Sequence, residues 1–102
     1  MKRDEILAKL RAHEPELRAA GIASLSLIGS AARGENRAES DVDIIVRLAD
    51  DPGRGGFAYF GLLDALSRRL QMILGRPVDL LAEPVCKKQL RRQIEKDRML
   101  AF

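Results

Sequence analysis

The apolar residues of the chain recur at two spacings, one typical of helices and the other typical of strands. Helical spacing predicts helices over about residues 4–19, 59–74 and 84–96. Pro15 lies inside the first of them, and because proline lacks a backbone N–H, we expect that helix to kink or restart near Glu14. The third helix is expected to turn Val85, Leu90 and Ile94 inward.

Alternation of apolar and polar residues predicts a set of strands. They cover residues 23–28, 41–48 and 78–81, and the apolar residues 99–102 are expected to add a short last strand. Apolar residues occupy every even position of the second strand and form its buried face, so Asp41 and Asp43 project together from the other face. The elements predict one domain over residues 1–102 with an α+β fold, a small mixed β-sheet with helices packed mainly on one face.

Composition restricts the class of protein. With 46% apolar and 32% charged residues, the chain has the composition of a folded globular protein rather than a disordered one. The single cysteine, Cys86, allows no internal disulfide and no zinc cluster, which favours a reducing compartment. No apolar run approaches the roughly 20 residues that a membrane span needs. We therefore expect a cytoplasmic protein with no membrane partner.

Much of the net charge of +3 falls late in the chain. The basic residues there are Lys87, Lys88, Arg91, Arg92, Lys96 and Arg98. Such a run either forms a solvated helix face or attracts an anion, a nucleotide or an acidic partner, and the sequence leaves both interpretations open. Because the chain has no tryptophan, one tyrosine and three phenylalanines, it offers no stacking platform for a nucleic-acid strand, and direct nucleic-acid binding is not expected.

Polar residues at the end of the first strand and at the start of the second strand predict a functional site. Gly29 and Ser30 end the first strand, where a glycine lets the backbone approach a phosphate and the following turn presents free N–H groups. Asp41 and Asp43 begin the second, and two neighbouring carboxylates of this kind repel each other unless a divalent cation holds both ionised. Oxygen ligands favour magnesium or manganese over zinc. An anion cradle beside metal ligands indicates phosphoryl or nucleotidyl transfer.

These residues resemble the signature of a known superfamily. Gly29-Ser30, ten further residues and then Asp41-Val42-Asp43 are similar to the motif of the DNA polymerase β-type nucleotidyltransferases. The longer strings Gly-Ser-Ala-Ala-Arg-Gly and Ser-Asp-Val-Asp-Ile-Ile-Val resemble the minimal nucleotidyltransferase (MNT) branch of that superfamily. The resemblance covers essentially the whole chain. It implies a polymerase β-like nucleotidyltransferase core.

The resemblance also implies roles for individual residues. The family carries a third carboxylate on a later strand, and Asp79 fits that place because it alternates with the apolar Val78 and Leu80. Asp41, Asp43 and Asp79 would then be the catalytic metal ligands, with two Mg²⁺ ions and ATP as the substrate. Gly29 and Ser30 would bind the β- and γ-phosphates. Arg33 is a further candidate for nucleotide binding, although it could equally pair with Glu35 or Glu39.

The acceptor of the nucleotide is expected to come from outside the chain. Larger members of the superfamily carry further domains that hold the acceptor, and no such domain is expected from these 102 residues. Members of the MNT branch are often encoded beside a HEPN-type toxin and act as its antitoxin. The resemblance therefore implies a hetero-oligomer in which AMP passes from ATP to a hydroxyl of the toxin, that of a tyrosine. Two alternatives stay open: a non-catalytic antitoxin that acts by binding, and a small-molecule nucleotidyltransferase.

Overall fold

The computed structural model describes residues 2–34, 41–49, 56–83 and 88–102, and of residues 56–60 it describes the backbone alone. The helices are α1 Arg3–Ala12, α2 Glu14–Ala19, α3 Gly29–Arg33, α4 Gly56–Leu74 and α5 Lys88–Asp97. The strands are β1 Ile22–Leu27, β2 Val42–Leu48, β3 Val78–Ala82 and β4 Met99–Leu100. Residues 35–40 and most of 50–56, which lie between predicted elements, are outside the described residues, as are Pro84 and Val85.

The strands form one mixed sheet in the order β3-β2-β1-β4. β1 pairs with β2 and with β4 in the antiparallel sense, whereas β2 and β3 are parallel. A parallel pair needs a long crossover, and α4 lies in the connection from β2 to β3. The predicted α+β class and mixed sheet are confirmed.

The main core lies between one face of the sheet and the helices α1, α2 and α4. The strands contribute alternate residues, such as Leu25 and Leu27 from β1 and Val42, Ile44 and Val46 from β2. The helices contribute Ile6, Leu7, Leu10, Leu17, Leu66, Leu70 and Leu74, all at most 5% exposed. Burial of this apolar surface is the largest favourable contribution to folding.

The first predicted helix is broken, as expected from its proline. α1 ends at Ala12 and α2 starts at Glu14, with Pro15 in the first turn of α2, where a missing N–H costs no hydrogen bond. His13 joins the two helices, and its Nδ1 lies 2.8 Å from the Lys9 carbonyl oxygen. Because the break redirects the chain, Ile6 and Leu17 both reach the same core.

The opposite face of the sheet is covered more sparsely, by α5. Ile94 packs there on Ile28 and Ile45, with Leu81 at the edge. The prediction that Leu90 turns inward is wrong, because this residue is 41% exposed whereas Ile94 is 5% exposed. Leu90 lies one turn before Ile94, where the helix has passed the edge of this small cluster.

Polar contacts anchor the C-terminal end of α5 and the segment after it. Arg98 Nε donates a hydrogen bond of 3.0 Å to the hydroxyl of Ser26, which is fully buried. The same guanidinium pairs with Glu95, at 3.0 Å, and with Glu83. These contacts join β1, β3 and α5 across the second face. None of the helices in the described ranges is long and apolar enough to span a membrane.

Candidate active site

The parallel pairing of β2 and β3 brings two predicted site residues side by side. Asp43 and Asp79 are register partners on these adjacent strands. Since side chains of paired residues point to the same face, both carboxylates project from the face covered by α5. Asp43 is half-buried and Asp79 is exposed. Asp41 immediately precedes β2, two residues before Asp43, and is exposed.

Asp43 is the central carboxylate of the group. Its pKa is raised above the usual value of 3.8, first by partial burial and then by the charges of Asp79 and Asp41. The positive charge of Arg33 acts in the opposite direction and lowers the pKa. The three predicted carboxylates thus interact electrostatically, and a cation placed among them would relieve the repulsion.

Gly29 packs directly against Asp43. Its φ is +62°, in the left-handed region that L side chains rarely adopt. A Cβ at this position would lie 2.7 Å from Asp43 Oδ2, and a carbon and an oxygen that are not bonded to each other do not approach so closely. In addition, the N–H of Ile28 donates a 3.0 Å hydrogen bond to the Asp43 carbonyl oxygen. The glycine turn and the carboxylate strand therefore form one tightly coupled unit.

Ser30 follows Gly29 in the first turn of α3 and is half-buried. The first N–H groups of a helix have no partner inside the helix, and they point along its axis away from the C-terminal end. α3 has only five residues, and Gly34, at φ +73°, ends it. Its buried alanines, Ala31 and Ala32, fix the turn to the main core.

Arg33 meets a partner that the sequence did not indicate. Its Nη1 lies 2.8 Å from Asp97 Oδ2 at the end of α5, and Gln93 Nε2 donates to the same oxygen at 2.9 Å. The partners considered from the sequence, Glu35 and Glu39, lie outside the described residues. Asp97 is 64 residues from Arg33, and no motif or spacing connects them.

A cavity of about 230 Å³ opens over these residues. It is lined by Ile28, Gly29, Arg33, Asp43, Asp79, Leu81, Leu90, Gln93, Ile94 and Asp97. Four of the six predicted site residues, namely Gly29, Arg33, Asp43 and Asp79, are therefore gathered in one cavity. The four lining residues from α5, at positions 90, 93, 94 and 97, were not predicted as site residues from the sequence. Their spacing is that of one helix face.

A larger cavity of about 600 Å³ lies elsewhere, between α2 and α4. His13, Glu16, Asp64, Arg68 and Met72 are among its lining residues. It contains neither a glycine turn nor carboxylates on neighbouring strands. The cavity over Asp43 is therefore the one with the chemistry of a catalytic site.

The carboxylates suit magnesium by donor type, because hard oxygen ligands are what this cation prefers. In the part of the chain that the structure describes, no group of three His, Cys, Asp or Glu side chains stands close enough to hold one metal ion. Magnesium keeps several waters and takes ligands from substrate phosphates, so two protein carboxylates suffice for a site of this kind. Asp43 and Asp79, paired across the strands, fit that requirement, and Asp41 is the nearest further carboxylate along the chain.

A small mixed sheet that sets a glycine turn against strand carboxylates is the architecture of a nucleotidyltransferase. Residues 4–101 match the model of the nucleotidyltransferase domain family, and the chain belongs to that family. It is 33% identical over 92 residues to the protein adenylyltransferase MntA of Thermococcus cleftensis, a match that covers 89% of this chain and 87% of the relative. The membership and the enzyme class expected from Gly29-Ser30 and Asp41-Val42-Asp43 are confirmed.

Solved structures agree with this assignment. A minimal nucleotidyltransferase superposes with a TM-score of 0.76 at 27% identity, over 97% of this chain and 95% of that one. The MNT antitoxin in a Shewanella oneidensis complex with a tri-AMPylated HEPN toxin superposes with a TM-score of 0.64 at 20% identity, covering 98% and 71%. At 20% identity, the match to the Shewanella oneidensis antitoxin shows that the two proteins share a fold.

Proposed function

We propose that the protein is a magnesium-dependent adenylyltransferase that moves AMP from ATP to a hydroxyl of a partner protein, a tyrosine of a HEPN-type toxin, and thereby acts as its antitoxin. The observation that carries the reaction type is the packing of Gly29 against Asp43, with Asp79 as the register partner of Asp43. This arrangement sets a phosphate-binding turn and paired carboxylates at one cavity.

In this proposal, the residues of the cavity divide between holding the nucleotide and activating the acceptor. Gly29 and Ser30 bind the β- and γ-phosphates through the first N–H groups of α3 and the serine hydroxyl. Arg33, at the other end of α3, adds positive charge beside the triphosphate. Asp41, Asp43 and Asp79 would hold magnesium, with Asp79 on the side of the acceptor.

The chemical step is an in-line displacement at the α-phosphorus. The acceptor oxygen forms a bond to phosphorus, the bond to the β-phosphate oxygen breaks, and pyrophosphate leaves. Asp79 takes the proton of the acceptor hydroxyl. Bound magnesium supplies neutralisation of the charge on the α-phosphate and on the pyrophosphate. Burial is the first cause of the raised pKa of Asp43 and the charges of Asp79 and Asp41 are the second, and a bound cation would counter the repulsion between these carboxylates.

The nature of the acceptor is supported by the relatives. The Thermococcus cleftensis relative is a protein adenylyltransferase, and the Shewanella oneidensis complex contains an MNT antitoxin with an AMPylated HEPN toxin. The cytoplasm, where both ATP and an intracellular toxin would be met, is the compartment that fits this activity.

The test uses the chain, magnesium, ATP labelled in its adenosine and the HEPN-type protein encoded beside it. We expect label on the partner with the wild type and none with Asp43→Ala. Asp64→Ala is the matched control, because Asp64 is an exposed aspartate on α4 outside the cavity. If Asp43→Ala still neutralised the toxin fully, with no label on the toxin, the protein would be an antitoxin that acts by binding alone. Label on a small molecule in place of the partner would show a small-molecule transferase.

A further inference from the structure

The cavity over Asp43 has two chemically different ends. Arg33, Asp97 and Gln93 form the charged end, linked by hydrogen bonds of 2.8 and 2.9 Å. Leu90 lies seven residues before Asp97 on α5, about 10 Å away along the helix axis. Leu81, two residues after Asp79 on the same face of β3, lines the cavity as well. One end of the cavity is therefore charged and polar, and the other presents apolar surface.

The exposure of Leu90 is unusual for its surroundings. α5 is mostly polar, with the sequence Lys-Gln-Leu-Arg-Arg-Gln-Ile-Glu-Lys-Asp. Ile94 of this helix is covered by Ile28, Ile45 and Leu81, whereas Leu90 is left 41% exposed at the cavity. A leucine held at the mouth of a site loses apolar contact with protein and remains available to a ligand.

In-line transfer determines which group meets which end. The attacking oxygen and the departing pyrophosphate lie on opposite sides of the α-phosphorus. In the sheet, β2 with Asp43 lies between β1, which leads into Gly29, and β3, which carries Asp79. If pyrophosphate leaves on the Gly29 and Arg33 side, then the acceptor enters on the side of Asp79 and Leu81.

We propose that Leu81 and Leu90 form the subsite for the acceptor side chain and that they select an aromatic hydroxyl, a tyrosine, over an aliphatic one. A tyrosine has an apolar ring that packs on the two leucines and a polar tip that reaches Asp79. A serine has a hydroxyl but no apolar body to fill the space. This inference rests on the proposed adenylyl transfer and assigns its acceptor specificity to these two residues.

The step at this subsite balances as in the parent reaction. The tyrosine oxygen bonds to the α-phosphorus, its proton passes to Asp79, and pyrophosphate departs toward Arg33. Leu81 and Leu90 take no part in the bonds. They are specificity-determining contacts that exclude water from one side of the attacking hydroxyl.

The test measures binding without transfer, so that its failure is distinct from failure of the proposed function. The chain is loaded with magnesium and a non-hydrolysable ATP analogue, and N-acetyl-tyrosinamide is titrated against ¹³C-methyl-labelled leucine residues in NMR spectra. We expect ring-current shifts confined to the methyls of Leu81 and Leu90. N-acetyl-serinamide, at the same concentrations, is expected to leave these methyls unmoved.

Substitution sharpens the result. Leu90→Ala is expected to raise the Kd of N-acetyl-tyrosinamide about fivefold while the Kd of the ATP analogue stays unchanged. Leu100→Ala is the matched control, because Leu100 is also an exposed leucine, at 56% on β4, and does not line the cavity. Weaker binding of the ATP analogue to Leu90→Ala would overturn the proposal, because Leu90 would then contact the nucleotide. Absence of tyrosinamide binding, or shifts on other leucines, would overturn it as well.

Discussion

The two faces of the sheet differ in what they bury. The face under α1, α2 and α4 is filled with aliphatic side chains that are almost all completely buried. The face under α5 has one small cluster around Ile94, and the rest of it carries Asp43, Asp79, Ser26 and other polar groups. Both faces are built by the same strands, since alternate residues of β2 belong to one or the other.

This difference separates stability from chemistry within a strand only seven residues long. Val42, Ile44 and Val46 gain free energy from burial, whereas Asp43 between them is placed at a cost, because burial and neighbouring charges disfavour its ionised form. Sites commonly hold groups that the fold alone would not favour. Substitutions on the two faces should therefore change different measurements.

The largest effect is expected for Asp43→Asn. Loss of the central carboxylate should lower kcat/KM for adenylyl transfer on the order of 10³-fold, because the group that holds the metal and aligns the triphosphate is gone. Stability should rise, since a neutral amide removes the repulsion with Asp79 and Asp41. Initial rates and thermal unfolding of the same preparation measure both changes. A fall in both would contradict the separation of the two faces.

Leu70→Ala should show the reverse behaviour. Leu70 is 0% exposed in the core under α4, and its truncation should cost about 3 kcal/mol of unfolding free energy. Activity per folded molecule should change less than about twofold, because Leu70 belongs to the main core and does not line the active cavity. Urea unfolding gives the free energy, and rates below the transition give the activity. Leu100→Ala, at an exposed position, is the control and should leave both nearly unchanged.

Sequence reasoning succeeded where the signal was local. Periodicity located the longer helices and the strands, Pro15 predicted the break before α2, and alternation placed Asp43 on the face opposite Val42 and Ile44. Asp79 could be selected because the family carries a carboxylate on a later strand, and the parallel register then placed it beside Asp43. Apart from Asp79, these inferences need only the chain near each residue.

Contacts over long separations could not be predicted in this way. Arg33 and Asp97 are 64 residues apart, and their pairing depends on how α5 crosses the sheet. The exposure of Leu90 has the same origin, since a 3.6-residue pattern predicts which face of a helix is apolar but not how far its neighbours extend. The lining of the cavity by α5 therefore required the tertiary structure.

Gly29→Ala is expected to have the next largest effect, mainly on the active face. A Cβ would lie 2.7 Å from Asp43 Oδ2, and φ of +62° adds strain of about 1–2 kcal/mol. We expect kcat/KM to fall about a hundredfold, a loss of about 2.7 kcal/mol in transition-state stabilisation. Gly61→Ala is the control, because a Cβ there meets no atom within 4 Å. Equal activities of the two variants would show that the Gly29 contact does not position Asp43.

Arg33→Gln tests the charged end of the cavity with a smaller expected effect. Removal of one positive charge beside the triphosphate should raise KM for ATP about fivefold with little change in kcat. Unfolding free energy should change by less than about 1 kcal/mol, because the pair with Asp97 is partly exposed. Arg18→Gln is matched, since Arg18 forms a similar pair with Glu14 far from the cavity. An unchanged KM would indicate that Arg33 only anchors α5.

The smallest effect is a pH dependence that separates Asp43 from the rest of the protein. In the absence of divalent cations, the folded-state pKa of Asp43 is higher than its unfolded value near 3.8. The folded chain therefore binds this proton more tightly, and ionised Asp43 lowers stability above its folded pKa. As the pH falls through the folded pKa toward 3.8, the penalty is lost. The unfolding free energy of the wild type should then approach that of Asp43→Asn, whose side chain is neutral at every pH.

Urea unfolding of both proteins between pH 7 and pH 4 in EDTA measures the difference. A gap that widened on acidification would mean that Asp43 is stabilised as an anion, with the charge of Arg33 outweighing burial and the other two carboxylates.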